Sequence, residues 1–406
     1  MPLKSFLQQN ARFLSAGVLL TFSSAYGQTF FIALFAAQIM GAYDLTDGQW
    51  GGLYTVATTA SAIIMFWAGT LTDKYRAVTL VKFVMPGLAL VCVAMAYNQW
   101  VFGLAVIIFF LRFLGQGMMS QLATVSMARW FVARRGLALS VAAMGFAIGQ
   151  ALLPVIIAAL FVVVDWRTIW IFSAFTVLAT FPFILKLLES ERTPQSLDQD
   201  ASSVGMMGRH WTRAEVLKSP IFWMFLPMLL GPPAWGTSLF FQQVHIAEVK
   251  GWPLLDYLAL IPLLTVVAVT STLISGQLID RFGSGKLIVF YMFPWIFGFL
   301  LLAQAQSLFT AAIAFTVLGS GVGLQSTLVT AFWAEYFGTR HIGSIKAVSA
   351  SIMVFGSAIG PGITGGLIDI GYSFPSQMPL ISGYFALAAI LVWAASHRAA
   401  RKLASA

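Results

Sequence analysis

Apolar runs of about 20 residues, separated by short polar segments, recur along the whole of this 406-residue chain. A helix needs about 20 apolar residues to cross the hydrocarbon core of a bilayer. A soluble fold could not keep so many runs from water: 59% of the chain is hydrophobic and 9% is charged, against roughly 25% charged in a soluble domain. The chain therefore reads as an all-α integral membrane protein. The first apolar stretch, from Phe13 to about Met40, is too long for the h-region of a cleaved signal peptide and reads as a first transmembrane helix.

Counting such runs predicts twelve transmembrane helices, near 13–39, 50–71, 78–97, 100–128, 137–162, 168–187, 221–245, 254–279, 286–303, 308–334, 343–368 and 379–396. They divide the chain into a six-helix bundle at 1–188, a polar linker at 189–219 and a second six-helix bundle at 220–406. With the N-terminus inside, about 20 of the 23 Lys and Arg fall on cytoplasmic segments and their flanks, Lys82 and Arg213 among them. Arg167 and Lys250 fall outside, and Arg112 falls within a span. This asymmetry places both termini in the cytoplasm. It also explains the formal charge of +9 without a nucleic-acid partner, since the basic residues are dispersed between spans rather than gathered on one face.

The two halves repeat at an offset of about 206–211 residues. Ala25-Tyr26-Gly27 matches Ala234-Trp235-Gly236, Pro86 matches Pro294, and Gly115 and Gly117 match Gly321 and Gly323. Gly145 and Gly149 match Gly356 and Gly360. Pseudo-symmetric halves of this kind are a transporter architecture, which places the cargo site between them near the midplane.

Two loops carry related motifs: Gly69-Thr70-Leu71-Thr72-Asp73-Lys74-Tyr75-Arg76, and Gly276-Gln277-Leu278-Ile279-Asp280-Arg281-Phe282-Gly283. Glycine at a span's end permits close helix approach. An aspartate at the membrane edge can accept from the unbonded N–H groups of a neighbouring helix start. Such a cluster can latch the cytoplasmic ends; its plainer reading is a short loop obeying positive-inside topology. Both copies resemble the loop signature of the major facilitator superfamily, with Arg76 where that signature has glycine. The resemblance implies alternating access, and gating pairs of Arg129 with Asp73 and of Glu335 with Arg281 or Arg340.

Arg112 lies roughly mid-span. A charge at that depth is costly unless it meets a cavity or a partner. All 14 Asp and Glu fall in loops or near span ends, so the guanidinium suits an anionic cargo group. The alternative is an arginine bonded to backbone carbonyls that holds helices together. Gln116 follows on the same helix face. Arg112 resembles the span-4 arginine of major facilitators, and Arg129-Trp130-Phe131 followed by Arg134-Arg135-Gly136 loosely resembles the monocarboxylate/oxalate branch. Tyr26, Gln28, Gln150, Trp235, Gln242, Gln325 and Ser326 are further candidates for a cargo-lining surface, or for helix packing. His245 ends span 7 and is the candidate for proton coupling, or else a hydrogen-bonded surface group. The lone Cys92 reads as a packing residue.

No nucleotide loop and no metal-ligand spacing is present, so the reading has no enzyme activity, no cofactor and no metal. The expected protein is a secondary transporter of the cell inner membrane, acting as a monomer with the lipid bilayer, a small-molecule substrate and a proton or sodium coupling ion as its partners. Uptake of an organic anion or polar aromatic nutrient leads. Uptake of an uncharged heterocycle such as a flavin, proton-antiporting efflux, and a sensor on a transporter scaffold are the alternatives.

Overall fold

A computed structural model describes residues 3–69, 71–131, 135–189, 205–338 and 342–404, and no strand occurs among them. The chain forms two compact units, Met1–Asp198 and Gln199–Ala406. In the first, the main helices are α1 (Ala11–Ser23), α2 (Asp47–Ala68), α3 (Ala77–Tyr97), α4 (Val101–Phe110 continuing to Ser120–Trp130), α5 (Arg135–Leu160) and α6 (Trp166–Leu188). In the second they are α7 (Leu226–Phe241), α8 (Leu260–Phe282), α9 (Phe293–Gln304), α10 (Leu308–Phe337), α11 (Ile342–Asp369) and α12 (Phe374–Ala404). Among the described residues, eight helices are long and apolar enough to cross a membrane, or nine if one bent pair counts as a single span.

Local chemistry fixes several helix ends. Thr46 and Gln49 form a reciprocal capping box at the start of α2, and the Asp165 carboxylate accepts from the Arg167 N–H at the start of α6. Within the expected linker, Thr212 and Glu215 form a second capping box. Bonds from the Thr212 N–H and hydroxyl hold the Glu215 carboxyl below its usual pKa, with Arg209 at 2.7 Å adding to the effect. Gly283, at φ 78°, ends α8 in a conformation that an L side chain resists.

Several expected spans are not continuous helices. The first is α-helical to Ser23, tightens into a 3₁₀ turn over Ser24–Gly27, is extended at Gln28, and resumes at Thr29. The bend across this break is 45°. The seventh is interrupted at Phe225 and again at Gln242. The ninth contains only the 12-residue α9, preceded by a short helix at Ser284–Leu287 and a 3₁₀ turn.

Both units use one pairing scheme. In the first, α1 packs on α5, α2 on α4 and α3 on α6; in the second, α7 packs on α11, α8 on α10 and α9 on α12. Small residues set the distances. A Cβ at Gly145 would collide with the Val18 carbonyl, and one at Gly149 would lie 3.0 Å from Ala25 Cβ. In the second unit, Gly356 meets the Leu230 carbonyl and Gly360 the Ala234 carbonyl. Gly149 and Gly360 therefore sit against matched alanines, Ala25 and Ala234, in the two units. Large apolar side chains such as Phe83, Leu90, Leu273 and Leu380 point outward, as lipid requires, while Trp170 packs inward against Phe31 and Phe35. Cys92 is fully buried in α3.

Candidate functional site

The most unusual local geometry lies where α4 crosses the break in the first span. From Leu111 to Met119 the helix winds as a π-helix, a form that is rare and often found at functional sites. Arg112 sits in this segment and is only 2% exposed. Its Nη1 donates to the Gly27 carbonyl at 3.1 Å and to Thr29 Oγ1 at 3.2 Å. Thr29 Oγ1 lies 2.6 Å from Tyr54 Oη, and the guanidinium carbon stands 5.4 Å from the centroid of the Tyr54 ring. The charge is thus met by a carbonyl, a hydroxyl and a π-face.

The break explains the bond to Gly27. In an unbroken helix its carbonyl would receive the Phe31 N–H, but that group bonds to the Gln28 carbonyl instead. Arg112 supplies the missing donor, as helix breaks at membrane depth require. Space for this is made by glycine on both sides: a Cβ at Gly27 would come within 2.7 Å of Gly115 Cα and would overlap the Leu111 carbonyl.

Two facts separate Arg112 from a purely structural arginine. Its Nε is buried and has no hydrogen-bond partner. Among the described residues, no carboxylate pairs with it. A buried cation with an unused donor can take an anionic oxygen at low cost in new desolvation.

The other expected site residues fall in both units. Gln116 is half-buried in the same π-helical segment. Tyr26 is buried edge-on against Phe31, and Gln28 reaches Ser24 Oγ at 3.4 Å. Gln150 lies half-buried on α5. In the second unit, Trp235 packs edge-on against Tyr384, with its indole N–H lacking a partner. Gln242 donates to Thr364 Oγ1 at 3.3 Å, tying α7 to α11, and Gln325 is half-buried on α10. His245 Nε2 accepts from the Phe374 N–H at 3.4 Å, which joins it to the start of α12. The Ser326 side chain lies outside the described residues.

The loop motifs are partly described. Gly69 ends α2, and its carbonyl accepts from the Thr72 hydroxyl at 2.7 Å. The side chains of Asp73, Lys74, Arg129 and Asp280, the surroundings of Gly276, and all of Arg340 lie outside the described residues. Of the two partners expected for Glu335, Arg281 makes no ion pair with it among the described residues, and Arg340 lies outside them. Glu335 accepts from both the N–H and the hydroxyl of Ser284, while Arg281 is exposed beside the Phe282 ring. The start of the Ser284–Leu287 helix offers unbonded N–H groups, and this carboxylate satisfies one of them.

Sequence reasoning missed Thr29 and Tyr54, although hydroxyls in an apolar span were the available signal. It also missed what the peripheral cations do. Arg12 donates to the Lys186 and Leu187 carbonyls, and Arg76 to the Glu189 carbonyl, so both cap the end of α6. Arg167 caps the end of α3 through the Ala96 and Asn98 carbonyls. Lys250 caps the end of α9 through Ala303 and Ala305, and partial burial lowers its pKa. Cations at helix C-termini satisfy orphan carbonyls and oppose the dipole.

Apolar helices long enough to cross a bilayer, sorted into two units with one pairing scheme, define a multi-pass membrane protein of transporter type. The chain belongs to the Major Facilitator Superfamily, whose family model matches residues 17–361 and 264–405. Its fold is similar to a bacterial homolog of the human lysosomal transporter Spinster in an inward-facing, unoccupied conformation, at a TM-score of 0.71 and 17% identity, covering 97% of this chain and 98% of that one. It is also similar to the nucleoside transporter NupG, at a TM-score of 0.70 and 12% identity, covering 94% and 98%. A 78-residue stretch is 31% identical to a probable plastidic glucose transporter of Arabidopsis thaliana. That stretch is 19% of this chain and spans only 15% of the relative's length. The family and fold are those of a transporter rather than an enzyme.

Proposed function

We propose that this chain is a secondary active transporter that takes up a small organic solute across the inner membrane by alternating access. The proposed topology has twelve spans with both termini in the cytoplasm, and the working unit is a monomer coupled to an ion gradient. The cargo carries an anionic group, in keeping with the loose likeness to the monocarboxylate/oxalate branch. The observation that carries this reading is Arg112: a buried guanidinium with no carboxylate partner among the described residues and a spare Nε donor.

The test is cargo affinity of purified wild type, Arg112→Lys and Arg112→Gln, with folding followed separately. An ammonium cannot reproduce the guanidinium fork, so both variants are expected to lose about 2–5 kcal/mol, well over tenfold in Kd. Equal affinity in all three would reduce Arg112 to a brace for the broken helix. A second reading, an uncharged flat heterocycle, is favoured by Trp235, whose indole N–H lacks a partner beside Tyr384. Under that reading Arg112→Gln keeps transport and Trp235→Ala abolishes it.

A further inference from the structure

At the end of the first unit remote from Ala77, the cap around Arg167 opens into a cleft of about 610 Å³. Ala96, Tyr97, Gln99, Arg167, Thr168 and Ile171 line it. The guanidinium is held in place twice over. Nη1 donates to Ala96 and Asn98 at 2.9 and 2.8 Å, and the guanidinium carbon lies 4.5 Å from the Trp166 ring centroid. The neighbouring Asp165 carboxylate is turned to the Arg167 backbone N–H, and no ion pair joins Arg167 to a carboxylate among the described residues. A fixed, unneutralised guanidinium beside an amide and a hydroxyl is the donor set that a phosphate ester requires.

The surroundings indicate where that phosphate comes from. Tyr97, Trp100 and Phe102 stand 70%, 78% and 82% exposed at this edge, as aromatic residues do at a headgroup boundary. Ile171, Phe175 and Leu178 are exposed at successive turns of α6 and form an apolar stripe that starts in the cleft. A free anion has no use for such a stripe, whereas an acyl chain does.

We propose that this cleft binds the phosphate headgroup of a membrane lipid, with an acyl chain lying along α6. The experiment uses the full chain, delipidated in detergent and titrated with short-chain phosphatidylglycerol, while bound lipid is counted by native mass spectrometry. Thr168→Trp fills the cleft and leaves the Arg167 cap intact; Gln99→Leu is the second variant should the first fold poorly. Wild type is expected to hold one lipid per chain, and Thr168→Trp to bind it about tenfold more weakly. Gln99→Leu should weaken binding to a smaller degree. Glycerol 3-phosphate and diacylglycerol serve as the two half-ligands, and both are expected to bind poorly. Equal lipid binding by wild type and both variants overturns the site. Glycerol 3-phosphate binding as tightly as the lipid makes a soluble phosphate ester the ligand and overturns the lipid assignment. Diacylglycerol binding as tightly overturns the role of Arg167.

Discussion

The two units share a pairing scheme, yet they differ where α4 crosses the first span. In the first, α4 winds as a π-helix, the helix opposite is broken at Gln28, and a charge joins them. In the second, α10 runs unbroken for 30 residues. The offset of 206 that relates Gly115 to Gly321 takes Arg112 to Leu318. The offset of 209 for the first span takes Thr29 to Ser238, and that of 207 between the loop motifs takes Tyr54 to Ile261. Leu318 and Ile261 are buried apolar residues, and Ser238 bonds back to the Ala234 carbonyl of its own helix. The second unit therefore achieves the same packing with no charge at these positions and with its one hydroxyl bonded within its own helix. A polar cluster that the shared fold does not need is better explained by function than by stability.

The largest expected effect comes from imposing the first unit's chemistry on the second. Leu318→Arg places a charge at a fully buried site that has no carbonyl freed by a helix break. It should cost about 3–5 kcal/mol and lower the unfolding temperature sharply in detergent. A stable Leu318→Arg protein would show that the second unit holds a hidden acceptor, and would weaken the contrast.

The symmetry-matched glycines should diverge next. Gly27→Ala drives a methyl into the backbone of α4, where nothing flexible can move aside. Gly236→Ala meets only the Trp295 ring, at 3.2 Å. The first should cost about 2–3 kcal/mol and the second less than about 1 kcal/mol. Thermal unfolding of the pair measures the difference, and similar losses would mean that the two crossings are equally tight.

The smallest effect sharpens the polar cluster itself. Thr29→Val removes an acceptor from Arg112 and a partner from Tyr54, and should cost about 1 kcal/mol. Ser238→Ala gives up only an intrahelical bond and should be near neutral. A near-neutral Thr29→Val would leave the Gly27 carbonyl as the only contact that matters to Arg112.

The sequence disclosed what depends on spacing. Gly145, Gly149, Gly356 and Gly360 were readable as close-packing points because glycine at every fourth position has few other uses in a helix. The match between Ala25 and Ala234 emerged from the same count. What stayed hidden depends on a bond's far end. Arg76, Arg167 and Lys250 look like topological charges, and nothing in their neighbours in the chain shows which distant carbonyl each one caps. The break at Gln28 was equally silent, since no proline marks it and the apolar run continues through it. The bond from the Ser284 N–H to Glu335 was hidden for the same reason: charges are visible in a sequence, whereas the vacant N–H groups of a short helix are not.

The Gly27 carbonyl has a kinetic consequence under the anion reading. It is a resident competitor for part of the guanidinium: an arriving anionic group finds Nε free but contends for Nη1 with an acceptor already 3.1 Å away. Apparent affinity falls by the fraction of time the carbonyl holds its bond. On the way out, the same carbonyl can re-form that bond as the cargo loosens, so departure does not strand a bare charge in an apolar setting. A site with a built-in substitute ligand binds less tightly and releases more readily, and a carrier that must empty itself on every cycle gains from both.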